Sequence, residues 1–245
     1  MFALCVVPVA PLRLSPDHAS EMTSQLVFGE SCQVKGPVEN GFYHITCTHD
    51  GYSGFCMGNQ LMLNANKEEK IDDIFTGWSN TIFDAAGHPM ILPFGARWPR
   101  AFEGKFVVEP SNLQLPTSNF SEEMLKKVAG TFINTPYLWG GRTVFGADCS
   151  GFVQMLMGVF GYALPRDASE QVAVGRSQGR SDAKWGDLAF FEVDGRIVHV
   201  GILLSKDRII HAFGKVRINK LDDTGIWNEE MNAYSHKLAE VRSLR

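Results

Sequence analysis

No stretch of the 245-residue chain approaches eighteen consecutive apolar residues, so the sequence offers no helix long enough to span a bilayer. Positive charge is not in excess either. Its 23 Lys and Arg stand against 27 Asp and Glu, a formal charge of −4, and no basic run occurs, so nucleic acid is not an expected partner. Cysteine is sparse and odd in number: Cys5, Cys32, Cys47, Cys56 and Cys149 include no close pair. Neither a disulfide framework nor a C-x-x-C metal site is expected from that spacing, and no H-E-x-x-H helix supplies a zinc site. A phosphate-binding glycine loop is also missing. Gly175-Arg176-Ser177-Gln178-Gly179 has the G-x-S-x-G spacing of a serine nucleophile. It follows a helical pattern and precedes a polar loop, the wrong setting for a strand-to-helix elbow. No metal and no cofactor are expected.

What is present is a globular composition, 44% hydrophobic and 20% charged, with no long low-complexity tract. At roughly 100 to 200 residues per domain this implies one large domain or two to three small ones. The apolar start, Met1 to Leu12, lacks a basic segment and is broken by Pro8 and Pro11, so it reads as a first β-strand rather than a secretory signal. Together with the unpaired cysteines this points to a cytoplasmic protein, with export by a route not visible in the sequence as the alternative.

Short β-branched and aromatic runs between turn residues occupy Cys5 to about Leu63, the pattern of a small barrel. After a Lys- and Glu-rich hinge, Asn64 to Lys70, a second region rich in Gly and Pro ends near Phe106-Val107-Val108 and reads as an irregular β-unit. From Ser121 the texture turns helical, with Glu122 and Glu123 in the first turn and Met124, Leu125, Val128 and Phe132 on one face. A second helix is expected over Ser150 to Gly161, and strands over Leu188–Val193, Ile197–Leu204 and Arg208–Phe213. Helices followed by an antiparallel sheet make the C-terminal half α+β. The expected boundaries are 1–63, 64–115 and 116–245.

Cys149 lies in Gly146-Ala147-Asp148-Cys149-Ser150-Gly151, a glycine-flanked turn opening a helix. There the helix dipole and unpaired N–H groups favour a thiolate and can hold an oxyanion, while Asp148 suits an N-cap. A thiol nucleophile needs a base, and His199 and His211 fall on consecutive strands. A turn centred on Lys206 sets residue 201 opposite 211, which makes His199 a same-face diagonal neighbour of His211. Nucleophile, base and orienting group would then stand in order. A one-residue slip would put the two histidines on opposite faces and remove the argument. Taken singly, Cys149 reads first as a buried small hydrophobe and each histidine as an ordinary strand residue; the three together favour catalysis.

Six ordered blocks carry a resemblance: Tyr137-Leu138-Trp139-Gly140-Gly141, Asp148-Cys149-Ser150-Gly151-Phe152, Pro165-Arg166-Asp167, Gly186-Asp187-Leu188-Ala189-Phe190-Phe191, His199-Val200-Gly201 and Ile210-His211-Ala212. They resemble the NlpC family of papain-like cell-wall cysteine peptidases, over most of 118–215. The N-terminal half resembles the bacterial SH3-like modules that accompany this domain, with Asp50 to Phe55 similar to the end of one. The closest likeness is to γ-D-glutamyl-L-diamino-acid endopeptidases that recycle murein peptides.

The resemblance implies a papain-like α+β domain preceded by small SH3-like β-barrels, with Cys149 as nucleophile, His199 as base and His211 as the polar third member. It also implies Tyr137 near the oxyanion, Asp167 binding the free amine of an N-terminal L-Ala, Tyr52 closing that amine pocket, and Trp139 and Ser150 lining the cleft. Ala168 departs from the Ser frequent after this Asp, so one hydroxyl contact is lost or comes from Ser169. The implied partner is a murein-derived peptide such as L-Ala-γ-D-Glu-diamino acid. An exported hydrolase of intact murein stems and a non-catalytic peptide-binding module remain the alternatives.

Overall fold

The computed structural model describes residues 1–66, 71–77, 79–108 and 120–245. The expected boundary at 115/116 and the hinge residues 67–70 lie outside them. The chain divides into two compact units. One comprises Met1–Thr117 with Trp139–Phe145, the other Ser118–Leu138 with Gly146–Arg245.

The first unit begins with β1 (Phe2–Cys5), β2 (Val9–Arg13), β3 (Met22–Val27), β4 (Ser31–Glu39), β5 (Phe42–Cys47), β6 (Ser53–Met57) and β7 (Leu61–Ala65). They form one sheet in the order β3-β2-β6-β5-β4-β1-β7. The apolar start is therefore two strands, not one. Pro8 falls in the break between them; it has no N–H to give a ladder, and its carbonyl accepts from the N–H of Phe28 at 3.1 Å. Alternation selects the core: on β2 Ala10 and Leu12 are buried while Val9, Pro11 and Arg13 are half-buried. Cys5, Cys32, Cys47 and Cys56 pack in that core with Leu26 and Ile45.

The strands β8 (Ile71–Ile74), β9 (Ser79–Asp84), β10 (Pro89–Pro93), β11 (Arg97–Pro99) and β12 (Phe106–Val108) follow. β9 pairs with both β10 and β12, and β8 with β11. They join the first sheet through aromatic packing, with the rings of Phe102 and Phe106 4.7 and 5.2 Å from that of Phe28.

The segment Trp139–Phe145, expected in the C-terminal domain, packs as part of this first unit. A buried ion pair explains it. The Arg142 guanidinium donates to both carboxylate oxygens of Glu30 at 2.8 and 3.0 Å and to the Gln25 carbonyl at 2.7 Å. The Arg142 N–H also donates to the Gln25 side chain at 2.8 Å. Burial alone would raise the Glu30 carboxyl, but Arg142 and His49 hold it down to about 2. Gly140 has φ +75, and a Cβ there would stand 2.5 Å from the Met22 carbonyl oxygen, so this turn requires glycine.

The second unit contains α1 (Glu122–Gly130), capped by Ser121, whose hydroxyl accepts from the Met124 N–H at 3.2 Å. Two-residue strands β13 (Arg142–Thr143), in the first unit, and β14 (Gly146–Ala147), in the second, precede α2 (Cys149–Val159) and α3 (Ala168–Gln171). Then come β15 (Arg176–Gln178), β16 (Leu188–Val193), β17 (Arg196–Ser205), β18 (Arg208–Phe213), β19 (Lys215–Leu221), β20 (Gly225–Asn228) and β21 (Ala233–Ser243). Six of these strands, β16 to β21, pair in sequence, and β21 returns to β16, closing a ring with β15 added on β21. Asp194 and Gly195, with φ 51 and 75, form the β16–β17 turn expected of Asp-Gly.

The register of β17 and β18 is the one expected: Gly201 opposes His211 and Leu203 opposes Ile209, with a bulge before Ser205. A Cβ at Gly201 would stand 2.9 Å from the His211 Cβ and 2.7 Å from the Ile209 Cδ1, so only glycine lets the two strands close here. Replacing Gly201 by Val is expected to separate His211 from its partners, seen as shifted His199 and His211 side-chain resonances in 1H–15N spectra, with the fold checked by circular dichroism. Glu30→Ala leaves Arg142 charged and buried, with an expected loss of about 3–5 kcal/mol in urea unfolding. The double replacement Glu30→Met with Arg142→Met should recover much of that loss.

Candidate active site

α2 begins at Cys149 because its N-terminus is unusually well secured. The Asp148 carboxylate accepts from the Gly151 N–H at 2.7 Å as N-cap. The same carboxylate holds the buried Arg166 guanidinium, which also donates to the Ser150 hydroxyl at 2.9 Å. Gln171 donates from its side chain to the Ser150 and Pro165 carbonyls at 3.1 and 2.8 Å. Arg166 and Gln171 thus lock the turn that carries Cys149. Arg166 lay within a recognised sequence block without a role, and nothing local marks Gln171.

His199 and His211 meet across β17 and β18, with His199 Nε2 and His211 Nδ1 2.8 Å apart. His211 Nε2 lies 3.1 Å from the Asn219 Oδ1. Both imidazoles are buried. The backbone N–H groups of Val200 and Ser150 act on the Cys149 sulfur, which sets it beside the strand residue that follows His199. His236, on β21, stacks on His199 with ring centroids 4.1 Å apart and planes at 24°. Asn219 and His236 lie on strands that the sequence pattern did not reveal beyond Phe213. Polar alternation in Lys215–Leu221 was the available signal.

Burial dominates the electrostatics of the site. Burial, reinforced by the Asp148 charge, pushes the Cys149 thiol up to about 11 against the opposing N–H groups and Arg166. Burial drives His199 well below its ordinary value, with His211 and His236 adding to it. Burial likewise takes His211 to about 3 and His236 to about 4. Desolvation therefore opposes the helix dipole and favours a neutral thiol and a neutral imidazole at rest. Such a pair can still perform nucleophilic acyl transfer when the imidazole removes the proton as the sulfur attacks.

The ligand atoms of His199, His211 and His236 lie within 4.8 Å of one another. Two stacked imidazoles cannot both aim an in-plane lone pair at one ion unless a ring turns, so this cluster is arranged for hydrogen bonding rather than for chelation.

The remaining expected residues divide between the two units. Tyr137 is 36% exposed, and its N–H donates to the Gly214 carbonyl at 3.0 Å. Partial burial, then the charges of Cys149 and Asp148, raise its phenol to about 12, so it stays a hydrogen-bond donor. Asp167 is exposed at the start of α3 without a side-chain cap bond. Ser150, expected to line the cleft, is buried, and its hydroxyl is occupied by Arg166 and Asp148. Trp139 and Tyr52 belong to the first unit. There the exposed Trp139 donates from its indole to Glu21 at 2.6 Å, and Tyr52 packs against the apolar core.

Residues 134–235 match the NlpC/P60 family, and residues 12–61 match the bacterial dipeptidyl-peptidase SH3 domain. A γ-D-glutamyl-L-lysine dipeptidyl-peptidase from Bacillus subtilis is 34% identical over 145 residues, which cover 57% of this chain and 49% of that protein. The chain thus spans about half the length of that relative. Dipeptidyl-peptidase 6 from Lysinibacillus sphaericus is 24% identical over 91% of this chain and 93% of its own length. The fold matches the crystal structure of an NlpC/P60 family protein from Bacillus cereus with a TM-score of 0.85 at 19% identity, covering 100% of this chain and 99% of that one. The resemblance read from the six sequence blocks is borne out: the chain carries an NlpC/P60 domain preceded by a bacterial dipeptidyl-peptidase SH3 domain.

Proposed function

We propose that the protein is a cysteine endopeptidase that cleaves the γ-D-Glu to L-diamino acid bond of short murein peptides bearing a free N-terminal L-Ala. The observation that carries this reading is the His199–His211 contact on the strand whose Val200 N–H reaches the Cys149 sulfur, at a locked helix start within a matched NlpC/P60 domain. The B. subtilis relative's name supports the bond class.

In the proposed reaction His199 takes the Cys149 proton on its Nδ1 while the sulfur bonds to the γ-carbonyl carbon. His199 then returns that proton to the departing amine as the C–N bond breaks. Water, deprotonated by His199, hydrolyses the thioester and releases the free γ-carboxylate and the thiol. Tyr137, held as a phenol, donates to the oxyanion. Asp167 pairs its exposed carboxylate with the substrate ammonium, a charge-assisted contact that a blocked amine cannot make. A cytoplasmic setting accords with five free cysteines.

Incubation with L-Ala-γ-D-Glu-diaminopimelate and its N-acetylated twin, followed by mass spectrometry, tests the reading. Cleavage of the free-amine peptide at least 100-fold faster is expected, with the preference largely lost in Asp167→Asn. Turnover that survives Cys149→Ala would overturn the mechanism. Equal cleavage of both peptides would remove the amine pocket and favour action on intact stems.

Cys149 should react with iodoacetamide ahead of Cys5, Cys32, Cys47 and Cys56, since burial pushes Cys32 and Cys56 up to about 12 and Cys5 and Cys47 well above the ordinary thiol value. Because the resting thiol is neutral, its alkylation rate should climb about tenfold per pH unit from pH 7 to 9. A plateau below pH 7 would instead reveal a thiolate–imidazolium pair. Depressed histidine pKa values keep the base neutral at pH 7, so kcat/KM should hold level down to about pH 6 and fall only in more acid solution.

A further inference from the structure

We propose that Asn219 is a positioning residue that sets the tautomers of both histidines and so places the basic lone pair on His199 Nδ1. This rests on the peptidase reading of Cys149 and His199, but not on the identity of the substrate.

The argument is a count of donors and acceptors along one chain. The Trp227 backbone carbonyl can only accept, and Asn219 donates to it from Nδ2 at 3.2 Å. The opposite amide orientation would set the Asn219 oxygen against that carbonyl, two acceptors facing each other. Asn219 Oδ1 must therefore face His211, and it can only accept, so His211 Nε2 carries the proton across the 3.1 Å contact. A neutral imidazole has one N–H, which leaves His211 Nδ1 as an acceptor. Across the 2.8 Å contact His199 Nε2 must then be the donor, and its Nδ1 holds the free lone pair. Each assignment forces the next, from a main-chain carbonyl on β20 to the nitrogen that takes the thiol proton. The arrangement continues to serve once His199 is protonated, because His211 already presents an acceptor to the imidazolium. Burial keeps His211 neutral, so it cannot donate from both nitrogens and break the sequence.

The fold builds this chain deliberately into three neighbouring strands. Ile209, two residues before His211 on β18, opposes Asn219 on β19, which makes Asn219 a same-face diagonal neighbour of His211. Lys220 opposes Trp227, which brings the Trp227 carbonyl alongside β19. The other polar residues on that face of β19 are directed elsewhere: Arg217 donates to Glu230 at 3.0 and 2.9 Å and Lys215 to Asn134 at 2.8 Å.

The test uses the full chain with 15N-labelled histidine. Two-bond 1H–15N spectra of the wild type should show His199 and His211 both protonated on Nε2. Asn219→Leu, close in shape but without an acceptor, should populate the Nδ1–H form of one or both rings. It should also lower kcat by about 100-fold with KM changed less than twofold. Asn219→Gln keeps one amide acceptor and one amide donor and should return the wild-type tautomers with at least a tenfold recovery of kcat over Asn219→Leu. Unchanged tautomers in a folded Asn219→Leu protein, or wild-type rings protonated on Nδ1, would overturn the assignment. The tautomer spectra need no turnover. A wild type inert toward murein peptides yet showing these tautomer shifts would therefore sink the substrate reading and uphold this one.

Discussion

A neutral imidazole has one donor and one acceptor, and the site depends on how two of them share a single hydrogen bond. His199 and His211 are brought together only because β17 and β18 pair with Gly201 opposite His211, which leaves space for a ring to reach diagonally across the ladder. Any slip by one residue would turn one imidazole to the other face. Closure of the sheet through β21 then removes both rings from water and stacks His236 on His199, so the bond forms where an unmade partner would be costly. Register, ring tautomer and burial are thus parts of one constraint.

The same desolvation explains why the thiol rests protonated. A helix N-terminus favours a negative sulfur, yet the dipole contributes at most a kcal/mol or two. Burial of Cys149 and the adjacent Asp148 carboxylate act in the other direction and win. Asp148 is held in place by Arg166, so the charge that disfavours the thiolate also secures the helix start. Stability and ground-state reactivity are set against each other at one turn, and the base must remove the proton during attack.

Among the described residues, each unit contains a buried Arg–carboxylate pair, Arg142 with Glu30 in the first and Arg166 with Asp148 in the second. Fork-to-carboxylate geometry gives such pairs direction as well as energy. In both cases the arginine fixes an irregular segment whose backbone has few ladder bonds, which is where side-chain hydrogen bonding has most to contribute.

Local rules made much of this readable from the chain. The glycine turn, the Asp N-cap, the helix at Cys149, the Asp-Gly hairpin and the same-face spacing of His199 and His211 all follow from short-range geometry. The six blocks that resembled the family depend on the same positions. The strands beyond Phe213, the partners Asn219 and His236, the burial of Ser150 and the placement of Trp139–Phe145 with the first unit were not legible. Each is decided by residues distant in sequence: Asn219 by its register against β18, Ser150 by Arg166, and the loop by the pairing of Arg142 with Glu30, 112 residues away. Periodicity and capping are properties of neighbouring residues, so the sequence determined the elements and the nucleophile's setting by itself. Desolvation and long-range pairing arise only when the sheet closes, so the thiol's protonation state, the histidine tautomers and the supporting residues were decided by the tertiary structure.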